Sequence, residues 1–279
     1  MTARRLIVTA DDFGADVAVN EAVEIAHRQG VLTAASLMVG APAAADAVAR
    51  ARAMPSLRVG LHLVLVDGRP TLPPREVSHL VDAAGDFRAD MAMAGVRIYF
   101  HPAARRQLAA EIEAQFAAFA ATGLVLDHVN AHKHFHLHPT IAGLILQAGA
   151  RQGLKAARAP VEPRAVLAAI ERGVVPATPV VDFWAKAVRT RFRRAGLVVP
   201  DQVYGLRWSG AMVLPRLLGL IGGLPRGLTE IYLHPATHGA FKGAAPGYRY
   251  GEELAALIAP EVIRAAGGLH RGGFGAFTA

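Results

Sequence analysis

The stretch VTADDFG (8–14) places two adjacent carboxylates, Asp11 and Asp12, at the end of a short apolar run. His62 lies inside VGLHLVL, between Leu61 and Leu63. The stretch DHVNAHKHFHLH (127–138) carries five histidines, Arg158 comes late in LKAARAP, and His234 comes late in IYLHP. Carboxylates and imidazoles together form a donor set for a divalent cation. Mg, Mn, Fe and Zn are all compatible with it, Zn being well suited to imidazole. Three protein ligands leave positions for water and substrate, as hydrolysis requires. Neighbouring residues of an extended chain point to opposite sides. One carboxylate of the pair can therefore bind metal while the other acts as general base, and the metal's charge relieves their repulsion. His132, His134, His136 and His138 alternate at spacing two, which in an extended chain puts them on one face. Not all of them can reach one ion, so some are left to support the ligands, to meet substrate or to face solvent.

Each of these residues alone has an ordinary reading. A carboxylate pair after a strand starts a turn or caps the next helix, and a histidine between leucines is commonly a hydrogen-bonded core residue. The weight lies in their shared placement, in or at the C-terminal end of a predicted strand. That is where parallel α/β folds build their sites.

The elements that must position them follow from periodicity. RLIVTA (5–10), TAASLMV (33–39), RVGLHLVLV (58–66), LVLDHVNA (124–131), LKAARAP (154–160) and LTEIYLHP (228–235) read as strands. Helices are predicted over 16–30, with Asp16 as N-cap and Val19, Ala22, Val23 and Ala26 as the buried stripe, and over 42–54, 104–123, 139–153, 163–173 and 251–267. Residues 67–101 read as a long loop, and 174–227 as mainly helical with Pro and Gly interruptions. Strands alternating with helices imply parallel βαβ units, and this number of units points to a distorted or incomplete (β/α) barrel. An open doubly wound sheet is the alternative, but no Gly-rich nucleotide fingerprint or Walker pattern supports it.

With 279 residues and 53% apolar content, the chain can build a sizeable core. Cysteine is absent, which excludes disulfides and thiolate metal sites and suits the cytoplasm. Arg4 and Arg5 precede too short an apolar run for a secretory leader, and no run approaches the roughly 18 residues of a membrane span. The formal charge is +8, and VRTRFRRAG (188–196) concentrates four arginines. That segment suits anionic headgroups or an acidic substrate. Nucleic acid is disfavoured, since aromatic interleaving stops at Phe192. AMVLPRLLGLIGGLP (211–225) is a candidate for contact with a bilayer surface, and the apolar helices of 174–227 are a candidate homodimer contact.

LIVTADDFG, VGLHLVL, DHVNAHKHFHLHP and EIYLHPATH together resemble the YdjC-like (ChbG-type) carbohydrate deacetylases, in the family's order from residue 5 to about 240. The resemblance implies an α/β fold, a distorted (β/α) barrel of the NodB-like polysaccharide-deacetylase type. It also implies a single deacetylase domain over 1–279 with a helical insertion or lid around 174–227. The implied reaction removes the N-acetyl group of an amino sugar, with one divalent metal ion, Zn or Mg. By position, Asp12, His62 and His132 are the implied metal ligands, Asp11 the general base, His234 the general acid, and Arg158 an arginine that orients Asp11. Asn130, His134 and His136 are left as supporting or substrate-binding residues. The family block reads Asp-Ser where this chain has Asn130-Ala131, so a supporting carboxylate there is replaced by a neutral amide. The wording NAHKHFHLHP and HPATHG is similar to a hopanoid-biosynthesis branch, which implies an N-acetylglucosaminyl hopanoid substrate and a cytoplasmic enzyme peripheral to the inner membrane. Rival readings are a deacetylase of soluble chitooligosaccharides, another metal hydrolase such as a phosphoesterase, and a non-catalytic sugar- or lipid-binding protein on the same barrel.

Overall fold

The structure, a computed structural model, describes residues 4–173 and 179–278. Seven strands occur in it: β1 (Arg4–Phe13), β2 (Ala34–Leu37), β3 (Arg58–Leu63), β4 (Val129–Ala131), β5 (Gln202–Tyr204), β6 (Gly227–Leu233) and β7 (His270–Arg271). Six of them lie in the order β4-β3-β2-β1-β6-β5, every pair parallel, and β7 adds to the start of β1. Isolated parallel bridges Val129↔Ala157 and Ala156↔Val198 connect β4 to the chain leading into β5. The strands thus curl into a parallel half-barrel whose edges meet through those bridges and through the Val203 N–H donating to the Val161 carbonyl (2.9 Å), with helices packed outside.

Period-two alternation divides each strand between two environments. Leu6, Val8 and Ala10 of β1 join the large core under the helices, while Ile7 joins Ala34, Ala156, Leu228 and Phe274 in a separate apolar cluster. Continuing along that second face, Ile7 gives way to Thr9 and Asp11, Ala34 to Ser36, Ala156 to Arg158, and Leu228 to Glu230 and Tyr232. The barrel interior therefore has an apolar floor, plugged by Phe274 from the chain end, and turns polar toward the C-terminal ends of the strands.

Helix Val17–Gln29 forms as its signals predict. Asp16 accepts the Ala18 N–H at 2.9 Å, and Val19, Ala22, Val23 and Ala26 are buried. Several elements differ from the sequence reading. The supposed loop 67–101 contains a 3-10 turn, Pro74–Val77, and a helix, Met91–Phe100. This helix is capped by Asp90 and nearly uniformly apolar, so it has no 3.6-residue contrast to betray it. Strand 124–131 shrinks to Val129–Ala131, because Asp127 turns to bind the chain end instead. Segment 154–160 makes only bridges. Pro260 splits the terminal helix into Tyr250–Ile258 and Pro260–Ala266. Stretch 174–227 holds helices Pro179–Arg194 and Leu214–Gly222 but also β5, and its residues 174–178 lie outside the described residues.

Candidate metal centre

β1 and β3 deliver Asp12 and His62, and the turn after β4 delivers His132. Asp12 Oδ1 lies 3.2 Å from His62 Nε2 and 3.2 Å from His132 Nδ1, and one donor atom from each residue falls within 4.8 Å of the others. Asp12 adopts φ +62°, a left-handed conformation at the end of a strand that costs a non-glycine residue on the order of 1 kcal/mol. His62 is buried and its Nε2 has no hydrogen-bond partner. Three electron-pair donors facing one point repel each other unless a cation or protons sit between them, and a buried orphan nitrogen among them fits a divalent ion. Burial opposes ionisation of both Asp12 and His62. The two histidines nevertheless hold Asp12 well below the usual carboxylate range, while Asp12 and Asp11 pull His62 upward.

Asp11 sits beside this trio in a different environment. Its Oδ1 accepts hydrogen bonds from Ser36 Oγ (2.6 Å), Asn130 Nδ2 (3.0 Å) and Arg158 Nη2 (2.9 Å), and its Oδ2 accepts one from Arg158 Nη1 (2.5 Å). Burial alone would raise its pKa. The Arg158 guanidinium, with His62 and His234 behind it, holds it far below the carboxylate range instead. Arg158 is wholly buried, donates from Nε and Nη2 to Glu230 Oε1 (3.0 and 2.7 Å), and lies over the Tyr232 ring at 4.3 Å. Thr9 Oγ1 donates to the same Glu230 oxygen at 2.9 Å. Asp11 is thus a clamped carboxylate whose ionised form Arg158 favours.

Asn130 joins the two halves. It donates to Asp11 and to Ser36 Oγ (3.1 Å), and its Oδ1 lies 2.7 Å from His62 Nδ1. His234 follows directly on β6, whose Leu233 pairs with Ala10, so it stands level with Asp11 on the neighbouring strand. Its ring lies 5.1 Å from that of Tyr248, its Nδ1 is buried without a partner, and its backbone N–H donates to Glu253 Oε2 at 2.5 Å.

The histidine run is not extended. Residues His132–Leu137 form a tight 3-10 turn with Lys133 at φ +52° and His134 at φ +54°, so the alternate histidines do not share a face. Only His132 joins the trio. His134 Nε2 lies 2.7 Å from the Tyr232 hydroxyl, and burial, with Arg158 nearby, drives its pKa well down. His136 is buried with both ring nitrogens unpartnered, and the same two causes push it down to about 3. His138 caps helix Pro139–Arg151, its Nδ1 accepting the Thr140 N–H at 3.3 Å.

Ser36, Glu230 and Tyr232 also belong to the site and carry the signal that exposes Asp11 and His62, a polar side chain inside an apolar strand, as in AASL and GLTEIYL. Glu253 comes from helix Tyr250–Ile258, where a lone buried carboxylate has no such signal. The basic segment, by contrast, is largely occupied in holding the fold. Arg189 and Arg193 donate to the carbonyls of Asp201 and Val199, Arg193 also pairs with Asp201, and Arg191 donates to the carbonyl of Pro139. In 211–225, Met212, Leu217, Leu220, Ile221 and Leu224 are core residues. Among the described residues, no helix is long and apolar enough to cross a membrane.

Fold and site together define a class: an α/β half-barrel of parallel strands with a carboxylate–imidazole trio, able to bind a metal ion, at its strand ends. The model of the YdjC-like protein family matches residues 5–266, and the chain belongs to that family. A carbohydrate deacetylase of Geobacillus stearothermophilus is 31% identical over 264 residues, 93% of this chain and 91% of that one. A carbohydrate deacetylase of Brevibacillus brevis is 39% identical over 143 residues, and there the match spans 51% of this chain and about half, 54%, of the relative. The crystal structure of a proposed cellobiose-phosphate cleavage protein from Enterococcus faecalis V583 superposes over both whole chains with a TM-score of 0.78 at 23% identity, a likeness of fold.

Proposed function

We propose that this chain is a metal-dependent carbohydrate N-deacetylase that hydrolyses the N-acetyl group of an amino sugar. The observation that carries this reading is the convergence of Asp12, His62 and His132 beside the clamped carboxylate of Asp11, in a chain whose relatives are named carbohydrate deacetylases. A Zn or Mg ion held by the trio would supply Lewis acidity toward the acetamide carbonyl and toward water. Asp11 takes a proton from the attacking water. A carboxylate held so far down by Arg158 is a weak base, so it serves only where water has been acidified beside it. Arg158 fixes the direction of Asp11, and His234, across from it on the next strand, protonates the leaving amine. His134 and His136, kept neutral by burial, face substrate or support the rim.

The chain acts as one domain, and helix Pro179–Arg194, tied by Arg191 to Pro139 just after the histidine turn, borders the mouth as part of a lid. The proposed acceptor is an N-acetylglucosaminyl hopanoid, met at the inner membrane surface. Two features support a lipid-linked substrate. Helix Met91–Phe100 packs by Gly95 against Phe135 and His138 and turns Met93, Val96, Tyr99 and Phe100 to solvent. Helix Pro179–Arg194 likewise exposes Val180 and Phe183. Contiguous exposed apolar residues of this kind mark contact surfaces.

The test is acetate release from a panel of N-acetylated amino sugars, lipid-linked and soluble, alongside phosphate esters, with and without added Zn or Mg. Metal-dependent release from the amino sugars is expected. Phosphate-ester turnover, or release indifferent to chelation, would overturn the reading, and a preference for soluble oligosaccharides would overturn the lipid acceptor.

A further inference from the structure

The geometry points to Asn130 as the positioning residue that fixes the tautomer of His62 and ties it to the charge on Asp11. An amide carries a donor end and an acceptor end, and its orientation follows from its neighbours. Arg158 and Ser36 keep Asp11 Oδ1 an acceptor, so the Asn130 group 3.0 Å away must be the NH₂. The other end, 2.7 Å from His62 Nδ1, is then the carbonyl oxygen, which only accepts. In the neutral ring the proton therefore sits on Nδ1, and the Nε2 lone pair is left facing Asp12 and His132. The chain of dependence runs from Arg158 through Asp11 and Asn130 to His62. An aspartate at 130 would equally accept from His62 Nδ1, but it would meet Asp11 Oδ1 only with an added proton between the two oxygens; the amide holds the ring without that proton. Removing the group altogether frees the ring to place its proton on Nε2, where it blocks a cation.

The value of this relay for metal rests on the proposed function; the tautomer does not. The experiment therefore reads both. ¹⁵N chemical shifts of the His62 ring are recorded for the metal-free protein at alkaline pH, and Zn affinity is measured by competition titration, for wild type, Asn130→Ala and Asn130→Asp. Thermal unfolding confirms that each variant folds. Expected are an Nδ1–H ring in wild type, a mixed or Nε2–H ring in Asn130→Ala with Zn affinity about 10–100-fold weaker, and an Nδ1–H ring with recovered affinity in Asn130→Asp. An unchanged ring in Asn130→Ala overturns the inference, as does equal loss of affinity in both variants, which would mark Asn130 as packing alone. A wild-type Nδ1–H ring that becomes mixed in Asn130→Ala, in a protein that takes up no zinc, sinks the metal reading while upholding Asn130 as the residue that sets the ring.

Discussion

Two aspartate–histidine groupings flank β4, the Asp127–His128 pair at its entry and the Asp12–His62–His132 trio at its exit, and they do opposite things. At the floor, Asp127 accepts the backbone N–H groups of Phe274 (3.0 Å) and Gly275 (2.8 Å) and pairs with His128 Nδ1 (3.0 Å), while the His128 ring stacks on Phe274 at 4.1 Å. Its carboxylate is spent on hydrogen bonds that staple the chain end beneath the barrel. At the mouth, Asp12 meets two imidazoles and no backbone donor, and one of the facing nitrogens is an orphan. Backbone strain gathers there as well, at Asp12, Lys133 and His134. A carboxylate is structural where backbone donors saturate it, as at Asp127, and a candidate for chemistry where carboxylate and imidazole donor atoms converge on one point, as at Asp12.

The largest effect that would sharpen this contrast is on metal. His62→Ala should abolish tight Zn binding and lower acetate release at least about 10³-fold, whereas Asp127→Ala should leave Zn affinity unchanged; equilibrium dialysis with metal analysis separates the two. Next comes turnover. Asp11→Asn should keep its metal yet lose at least about 10²-fold in kcat, and near wild-type deacetylation would refute its role as base. Stability follows. Arg158→Met strands Asp11 and Glu230 as buried charges and should cost about 3–5 kcal/mol by denaturant unfolding, against about 1–3 kcal/mol for Asp127→Ala, which leaves two N–H groups unpaired. The smallest effect concerns pH. Burial disfavours the charged Asp127, but His128 and the two backbone donors outweigh it and hold its pKa below the ordinary 3.8. The folded state therefore binds this proton less readily than the unfolded one. Its contribution is complete above pH 3.8 and is lost as pH falls through the lowered folded value. Asp127→Asn should flatten that acid limb in urea titrations at stepped pH.

The parallel half-barrel was readable because its strands are short apolar runs alternating with amphipathic helices, and Asp11, Asp12, His62 and His132 stood out as polar breaks at strand ends. What the sequence hid has physical causes. Period-two reasoning failed for the histidine run because left-handed turns at Lys133 and His134 cancel the alternation. Helix Met91–Phe100 was invisible because an apolar solvent face erases amphipathic contrast. His128 looked like one more member of the cluster, and only its stacking on Phe274, far along the chain, shows it to be a floor residue. The arginines of 188–196 suggested a free basic face, yet carbonyl groups of the fold engage most of them.

The central claim is that Asp12, His62 and His132 hold one divalent ion. Anomalous diffraction at the zinc edge from Zn-soaked crystals tests it most directly. A single peak is expected at about 2.0–2.2 Å from a carboxylate oxygen of Asp12, Nε2 of His62 and Nδ1 of His132. A peak centred on His134, His136 or the Asp127–His128 pair, with those three residues left bare, would contradict the account.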